Sequence, residues 1–234
     1  MAALPDFTLY YSAGACSNAV RLALHELSIP FQSVNTRRNA NLKIEPADGS
    51  LTAEEYRDQV HHKNYVPGFV ITFADGHRES ITETPAILSY IASLRPERGL
   101  AGKTDLEKAR VLSWAVYFSG ELHGVGWGGL LAPKRFVDIS DKKLEEAVKE
   151  GGKKNIKAAY EHLETELQKG GGEWIVGDSL TLADVYSYIL YRWGVMHEFG
   201  MEKYERYTEI VKKLEAREST KKTLEEEGLP AHFQ

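Results

Sequence analysis

Residues 9–24 read LYYSAGACSNAVRLAL. The apolar run Phe7 to Tyr11 has the composition of a short strand, and Ser12 to Ala15 are small, loop-forming residues. From Cys16 onward, apolar side chains at Val20, Ala23, Leu24 and Leu27 recur at the i, i+3, i+4, i+7 spacing of one helix face. This strand–loop–helix pattern delivers the only cysteine of the chain, with Ser17 beside it, to a helix N-terminus. Four backbone N–H groups have no intrahelical partner there, and the helix dipole is positive. Such a place binds anions and favours a thiolate over a thiol. The same residues also fit a buried, inert cysteine under a core helix.

Working outward, Ile29-Pro30 ends the helix and Phe31 to Val34 reads as a second strand, parallel to the first through a right-handed crossover. Residues 36–64 are polar and read as an irregular connection carrying one short helix, about Thr52 to Val60, with Thr52 and Glu55 spaced as a capping box. Two alternating runs, 69–74 and 77–82, flank Asp75-Gly76, a strong hairpin signal, and Pro67 marks a turn at the strand start, with a cis bond as one option. Thr84 before Pro85 is the pairing of an N-cap with proline at the first helical position, opening a helix to about Leu94.

Residues 95–104, RPERGLAGKT, form the first break in composition, and everything after them reads as helix. One long helix covers 105–123 and is interrupted by GVGWGGL at 124–130; another covers 141–169 and ends at Gly170-Gly171-Gly172. Residues 182–197 are apolar nearly all round, hence a central buried helix. A last helix near 203–217 and the charged tail TKKTLEEEGLPAHFQ read as peripheral. The order β-α-β-α-β-β-α followed by helices predicts an α/β domain with a mixed four-stranded sheet over 1–95, a linker at 96–104, and an all-helical domain over 105–234.

The chain's 234 residues suffice for two small domains, and a net charge of −5 with both signs interspersed argues against a nucleic-acid or anionic-membrane surface. No apolar run approaches the roughly 18 residues of a membrane span, and MAALPDFTLYY lacks the basic start of a signal peptide. A lone cysteine fits a reducing compartment, so the expected location is cytoplasmic. His61 and His62, as neighbours, are expected to point apart with no third ligand, so no metal site is expected.

At this point the motifs, taken together and in order, resemble the cytosolic glutathione transferases along nearly the whole chain. LYYSAGACS is similar to the nucleophile loop of the bacterial beta class; Val66-Pro67 matches the family's Val–cis-Pro; ITETPAILSYIA (81–92) matches its γ-glutamyl-binding motif. Glu121-Leu122-His123 is similar to a beta-class Glu-Leu-His, and SLTLADVYSYIL (179–190) to the N-capping box of the family's core helix. The resemblance implies a thioredoxin-like first domain, glutathione as co-substrate, a homodimer, and a hydrophobic electrophilic small molecule bound by the helical domain. It carries glutathione contacts to Val66, Pro67, Glu83, Thr84, Asn64 and His123.

The residue chemistry agrees. A carboxylate at Glu83 can accept an ammonium, while a hydroxyl at Thr84 and free helix N–H groups bind a carboxylate, so the pair suits an α-amino acid; without the resemblance, an ordinary N-cap is the preferred reading. Asn64 stands where glycine is common and tolerates positive φ. Thr181 and Asp184 read as a structural capping box. The thiol activator of other members falls on Gly14 here, leaving Ser17, Cys16, Tyr11 and then Tyr10 as catalytic candidates. Trp114, Tyr117, Phe118 and Trp127 are candidate walls of the electrophile site or simply core. The leading expectation is a transferase that stabilises the glutathione thiolate and adds it to an electrophile. Alternatives are a glutathione-dependent isomerase or dehydratase, a thiol transferase acting through Cys16, and a non-catalytic module with the same fold.

Overall fold

The apolar run that opens the chain becomes β1, Asp6–Tyr11, and every neighbouring element is placed by the alternation of its side chains. The computed structural model describes residues 4–233 and divides into two compact units. One is the stretch through Arg98 together with the stretch from Leu214; the other is Gly99–Lys213.

In the first unit β1 is followed by helix α1, Ser17–Glu26, and strand β2, Gln32–Arg38. Then come β3, Ile44–Pro46, helix α2, Ala53–Gln59, strands β4, Gly68–Thr72, and β5, Arg78–Ile81, and helix α3, Thr84–Ser93. The sheet order is β3-β2-β1-β4-β5. β2 runs parallel to β1, with Tyr10 opposite Val34, while β4 is antiparallel to it, with Leu9 opposite Phe69. This is the expected thioredoxin-like sheet with five strands instead of four. The extra strand is β3, three residues of the polar connection paired antiparallel to β2. So short an edge strand, ending in Pro46, carries no periodicity to read.

Alternation along β1 divides the core. Phe7 stacks on Phe69 at 5.4 Å and meets Tyr90 of α3 edge-on. Tyr10 points to the opposite face and joins Val70, Ile44, Tyr56 and Val60 in a buried cluster under α2. Gly68 is required there, because a Cβ would stand 2.4 Å from Val60 Cγ1 and 2.9 Å from the Tyr56 hydroxyl. α2 starts at Thr52 with the expected capping box to Glu55. The α3 start is shifted by one residue from expectation: Glu83 is the N-cap and Thr84 already lies in the helix.

The second unit is helical. α4, Asp105–Tyr117, starts at a Thr104–Glu107 capping box and passes without a break into a π-helical stretch, Phe118–Trp127, and a short α5, Gly128–Leu131. The glycine-rich segment therefore widens the helix where an interruption was expected. α6, Lys142–Gly170, crosses it so closely that a Cβ on Gly152 would lie 2.7 Å from Leu130 N and 2.8 Å from Gly126 O. α7, Leu182–Met196, is the buried central helix, capped by Thr181 and Asp184. α8, Glu205–Glu215, is started by the buried Glu164, which accepts the N–H groups of Arg206 and Tyr207 at 3.0 Å each.

The tail departs most from expectation. Residues Glu218–Glu227 form α9, which lies against α1 with Thr220, Thr223, Leu224 and Glu227 buried. The stretch from Leu214 thus groups with the sheet unit rather than with the helical domain expected over 105–234. Among the described residues no helix is long and apolar enough to cross a membrane.

Neighbouring glycines on α6 test the close crossing. Gly152→Ala should lower the unfolding free energy by about 1–3 kcal/mol, because only backbone atoms stand in the way. Gly151→Ala, which meets nothing within 4 Å, should be neutral or stabilising by up to about 1 kcal/mol. Equal denaturant midpoints for the two variants would refute the crossing.

Candidate functional site

The β1–α1 loop is held from inside. The Ser17 hydroxyl donates to Ser12 O at 3.2 Å and accepts the Ser12 N–H at 3.3 Å, so one buried side chain closes the loop on itself. The Ser12 hydroxyl meets that of Thr36 at 2.7 Å, and Thr36 donates to Tyr11 O, tying the loop to β2. Ser17 was the first candidate for thiolate stabilisation; its hydroxyl proton is instead engaged by the loop.

Cys16 is the residue before α1, and its thiol donates to Val66 O at 3.3 Å. Val66-Pro67 is cis. The polar connection exists largely to mount this turn. Tyr56 of α2 donates its hydroxyl to Tyr65 O at 2.8 Å, and Asn64, at φ 51°, donates its amide to Ile44 O and Ala53 O. Asn64 therefore works as a brace on β3 and the start of α2.

The third part of the corner is the start of α3. Thr84 is buried and its side chain is within hydrogen-bonding reach of the Cys16 thiol, with the Glu83 carboxylate close enough to act on it electrostatically. Glu83 is exposed and held at φ 70°, a left-handed conformation that costs a non-glycine residue about 1–3 kcal/mol. An exposed carboxylate and a helix N-terminus are thus presented beside a backbone carbonyl and a thiol, all within one unit.

Electrostatics correct one expectation. Burial pushes the Cys16 thiol up to about 11, and the hydrogen bond from Thr84 recovers only part of this. Relative to an ordinary thiol the ionised form is disfavoured by about 3 kcal/mol, so desolvation outweighs the helix dipole. The inert reading of Cys16 is the one its surroundings favour.

The tyrosines lie elsewhere. Tyr10 is in the core, ring edge-on to Tyr56, and burial raises its pKa. Tyr11 lies under the Arg21 guanidinium at 4.0 Å and lines a cleft of about 380 Å³ with Phe31, Lys222 and Glu226 on the flank where α1 meets α9. His61 and His62 stack on each other at 5.3 Å rather than pointing apart. Among the described residues no cluster of three His, Cys, Asp or Glu side chains fits a metal ion.

In the second unit His123 sits in the π-helical stretch. Its Nδ1 is 3.0 Å from the Tyr186 hydroxyl and its ring packs edge-on against Trp193. Burial pushes its pKa down to about 4. Trp114, Tyr117 and Phe118 cluster with His162, and Trp127 with Trp193, His197 and Phe199.

A set of partners that no local pattern announced comes from the far end of the chain. Glu227 Oε2 accepts the Gly14 N–H at 3.0 Å and the Asn18 amide at 3.1 Å, while its Oε1 accepts from Arg21 Nε at 3.2 Å. Only the acidic run before Gly228 hinted at it, and an acidic run is ordinarily a solvated face.

Comparison with known proteins agrees with this geometry. The family model described as glutathione S-transferase, C-terminal domain, matches residues 135–227. Glutathione S-transferase GstA of Escherichia coli O157:H7 is 26% identical over 222 residues, covering 94% of this chain and 98% of that protein. A bacterial beta class glutathione S-transferase of Sphingomonas chungbukensis is 28% identical with a TM-score of 0.75, covering 95% of this chain and all of that one. A sphingomonad glutathione S-transferase complexed with glutathione is 28% identical with a TM-score of 0.76 over the same shares. Along nearly its whole length the chain is thus similar to glutathione S-transferases, bacterial beta-class members among them.

Two measurements probe the site as described. With a thiol near 11, about one Cys16 in a thousand is ionised at pH 8. Alkylation followed by intact mass should therefore be far slower in native than in unfolded protein; a native rate like that of a free thiol would contradict the burial. His123 titrates below its ordinary value, so the unfolded chain binds more protons between pH 6.5 and 4. Stability supplied by neutral His123 is full above pH 6.5 and is lost as pH falls towards 4. Wild type should lose about 2–3 kcal/mol more than His123→Gln over that range in denaturant titrations, and parallel pH profiles would refute the shift.

Proposed function

We propose that the corner formed by Val66, Glu83, Thr84 and the N-terminus of α1 binds reduced glutathione, and that the enzyme adds its thiolate to a hydrophobic electrophile. Among the proteins it resembles are named glutathione S-transferases, one of them complexed with glutathione. The observation that carries the reading is the convergence of Cys16, Val66 O, Thr84 and Glu83. In it, Glu83 accepts the γ-glutamyl ammonium, and Thr84 with the first N–H groups of α3 takes the adjacent carboxylate. Val66, held open by Pro67, pairs through its peptide groups with the cysteinyl backbone; its carbonyl keeps a second lone pair beside the Cys16 thiol.

That pairing brings the glutathione sulfur to the loop and first turn of α1. Backbone N–H groups at the helix N-terminus stabilise the thiolate there, as they do any anion, and lower its pKa towards neutrality. Ser17 acts by fixing the loop that presents them. Burial of Cys16 supports conjugation over thiol transfer, which needs Cys16 ionised as nucleophile. His123 belongs to the same proposal through the Glu-Leu-His resemblance alone; within its own unit its Nδ1 lies 3.0 Å from the Tyr186 hydroxyl. Exposed Leu112 and Val116, four residues apart on α4, support a homodimer. A role in detoxification or secondary metabolism and a cytoplasmic location complete the proposal.

Glu83→Ala or Thr84→Ala should weaken glutathione binding by about 1–3 kcal/mol in calorimetric titration with the fold intact; wild-type affinity in both would remove the γ-glutamyl assignment. A screen of activated aryl halides and epoxides read by mass should give glutathione conjugates, and Cys16→Ala should retain their formation within about threefold. Loss of turnover in Cys16→Ala would reinstate the cysteine as nucleophile. A product without added glutathione mass would mark an isomerase.

A further inference from the structure

The Glu227 carboxylate reaches back across 213 residues to the backbone of the loop that precedes α1. Gly14 has φ 70°, which turns its N–H out of the loop and onto Glu227 Oε2 at 3.0 Å. The same oxygen accepts the side-chain amide of Asn18, in the first turn of α1, at 3.1 Å. A Cβ on Gly14 would lie 3.9 Å from Leu229, so the segment after α9 also covers the loop. Glu227 is buried, and its second oxygen is fixed by Arg21, itself 1% exposed on the side chain.

We propose that Glu227 is a positioning residue for the glutathione thiol, holding the Ser12–Ala15 loop and the first turn of α1 in register. The proposal rests on the glutathione reading above. Its physical basis is that the loop's own side-chain contacts, Ser17 with Ser12 and Thr36 with Ser12, hold the first residue of the loop to the start of α1 and to β2. Glu227 ties the middle of the loop, at Gly14, to Asn18 of α1, because one carboxylate oxygen binds the loop amide and the helix side chain together. A hydrogen bond to a charged acceptor is shorter and stronger than one to a neutral acceptor. Displacing the helix N–H groups from the sulfur by even a fraction of an ångström weakens an interaction that exists only with the thiolate.

A second tether on the same two helices provides the control. Arg217 donates from Nε and Nη2 to Glu26 at 2.9 and 2.6 Å, with Ser219 joining at 2.6 Å. Glu26 is the last residue of α1, about 14 Å along the helix from Ser17. Arg217→Ala loosens α9 without touching the loop.

The experiment compares Glu227→Ala, Glu227→Gln and Arg217→Ala in the full-length protein by glutathione conjugation kinetics and by amide hydrogen exchange. Glu227→Ala should lower kcat about tenfold with KM for glutathione within about twofold, and should raise exchange across 12–16. Glu227→Gln keeps an acceptor for Gly14 and should recover part of both. Arg217→Ala should lower thermal stability to a similar degree while kcat and loop exchange stay at wild type. Equal losses of kcat in Glu227→Ala and Arg217→Ala, or wild-type loop exchange in Glu227→Ala, would overturn the positioning role. Wild-type protein that neither binds nor conjugates glutathione would overturn the functional reading instead, and loop exchange would still decide whether Glu227 holds the loop.

Discussion

A guanidinium buried on the first helix is the constraint on which the sheet unit depends. Arg21 lies among Ala19, Val20, Leu22, Ala23 and Leu24, all buried, and an unpaired cation there would cost several kcal/mol. Its counter-charges come from α9: Glu227 at Nε and Glu226 at Nη1, 2.6 Å away, while the Tyr11 ring covers one face. Such a pair adds little net stability against an apolar replacement, but losing one partner costs about 3–5 kcal/mol. The pair therefore specifies where the end of the chain must go. Once α9 is docked, Glu227 also takes the Gly14 amide, and the loop before α1 is tied to the C-terminal segment.

The site is assembled from opposed local demands. β1 must alternate, so Leu9 and Tyr10 go to opposite faces and neither tyrosine of the opening motif meets the thiol corner. Cys16 stands at a helix N-terminus, where the dipole favours its anion, yet it is buried against Val66 and desolvation prevails. Glu83 carries the opposite bargain: it is exposed, strained at φ 70°, and kept in place by the hairpin before it and the helix after it. Strain of this kind persists only where the surrounding structure holds it, and it fixes the direction of the carboxylate in advance of any ligand.

In the helical unit the same economy of backbone is visible. Ten residues of π-helix, Phe118–Trp127, carry Glu121, Leu122 and His123, and glycines at 126 and 129 let α6 approach to backbone contact at Gly152. A widened helix re-aims its side chains without breaking, and such segments concentrate at functional sites. His123 is held neutral there by burial, with its Nδ1 on Tyr186.

The sequence alone determined whatever depends on near neighbours. The apolar run at 7–11 and the helix-face spacing after Cys16 placed β1 and α1; Asp75-Gly76 placed the hairpin; Thr52 and Thr181 placed helix starts, because a cap is satisfied within three residues. The motifs at 66–67 and 83–84 marked the corner proposed for glutathione. Only the tertiary structure decided what required distant partners or the balance of burial. It made β3 a strand, moved the α3 cap to Glu83, turned the glycine-rich break into a π-helix and buried the thiol of Cys16. It also brought Glu227 to Gly14. A carboxylate in a charged tail has the composition of a solvated face, and desolvation and long-range pairing are properties of the folded volume, which no local pattern records.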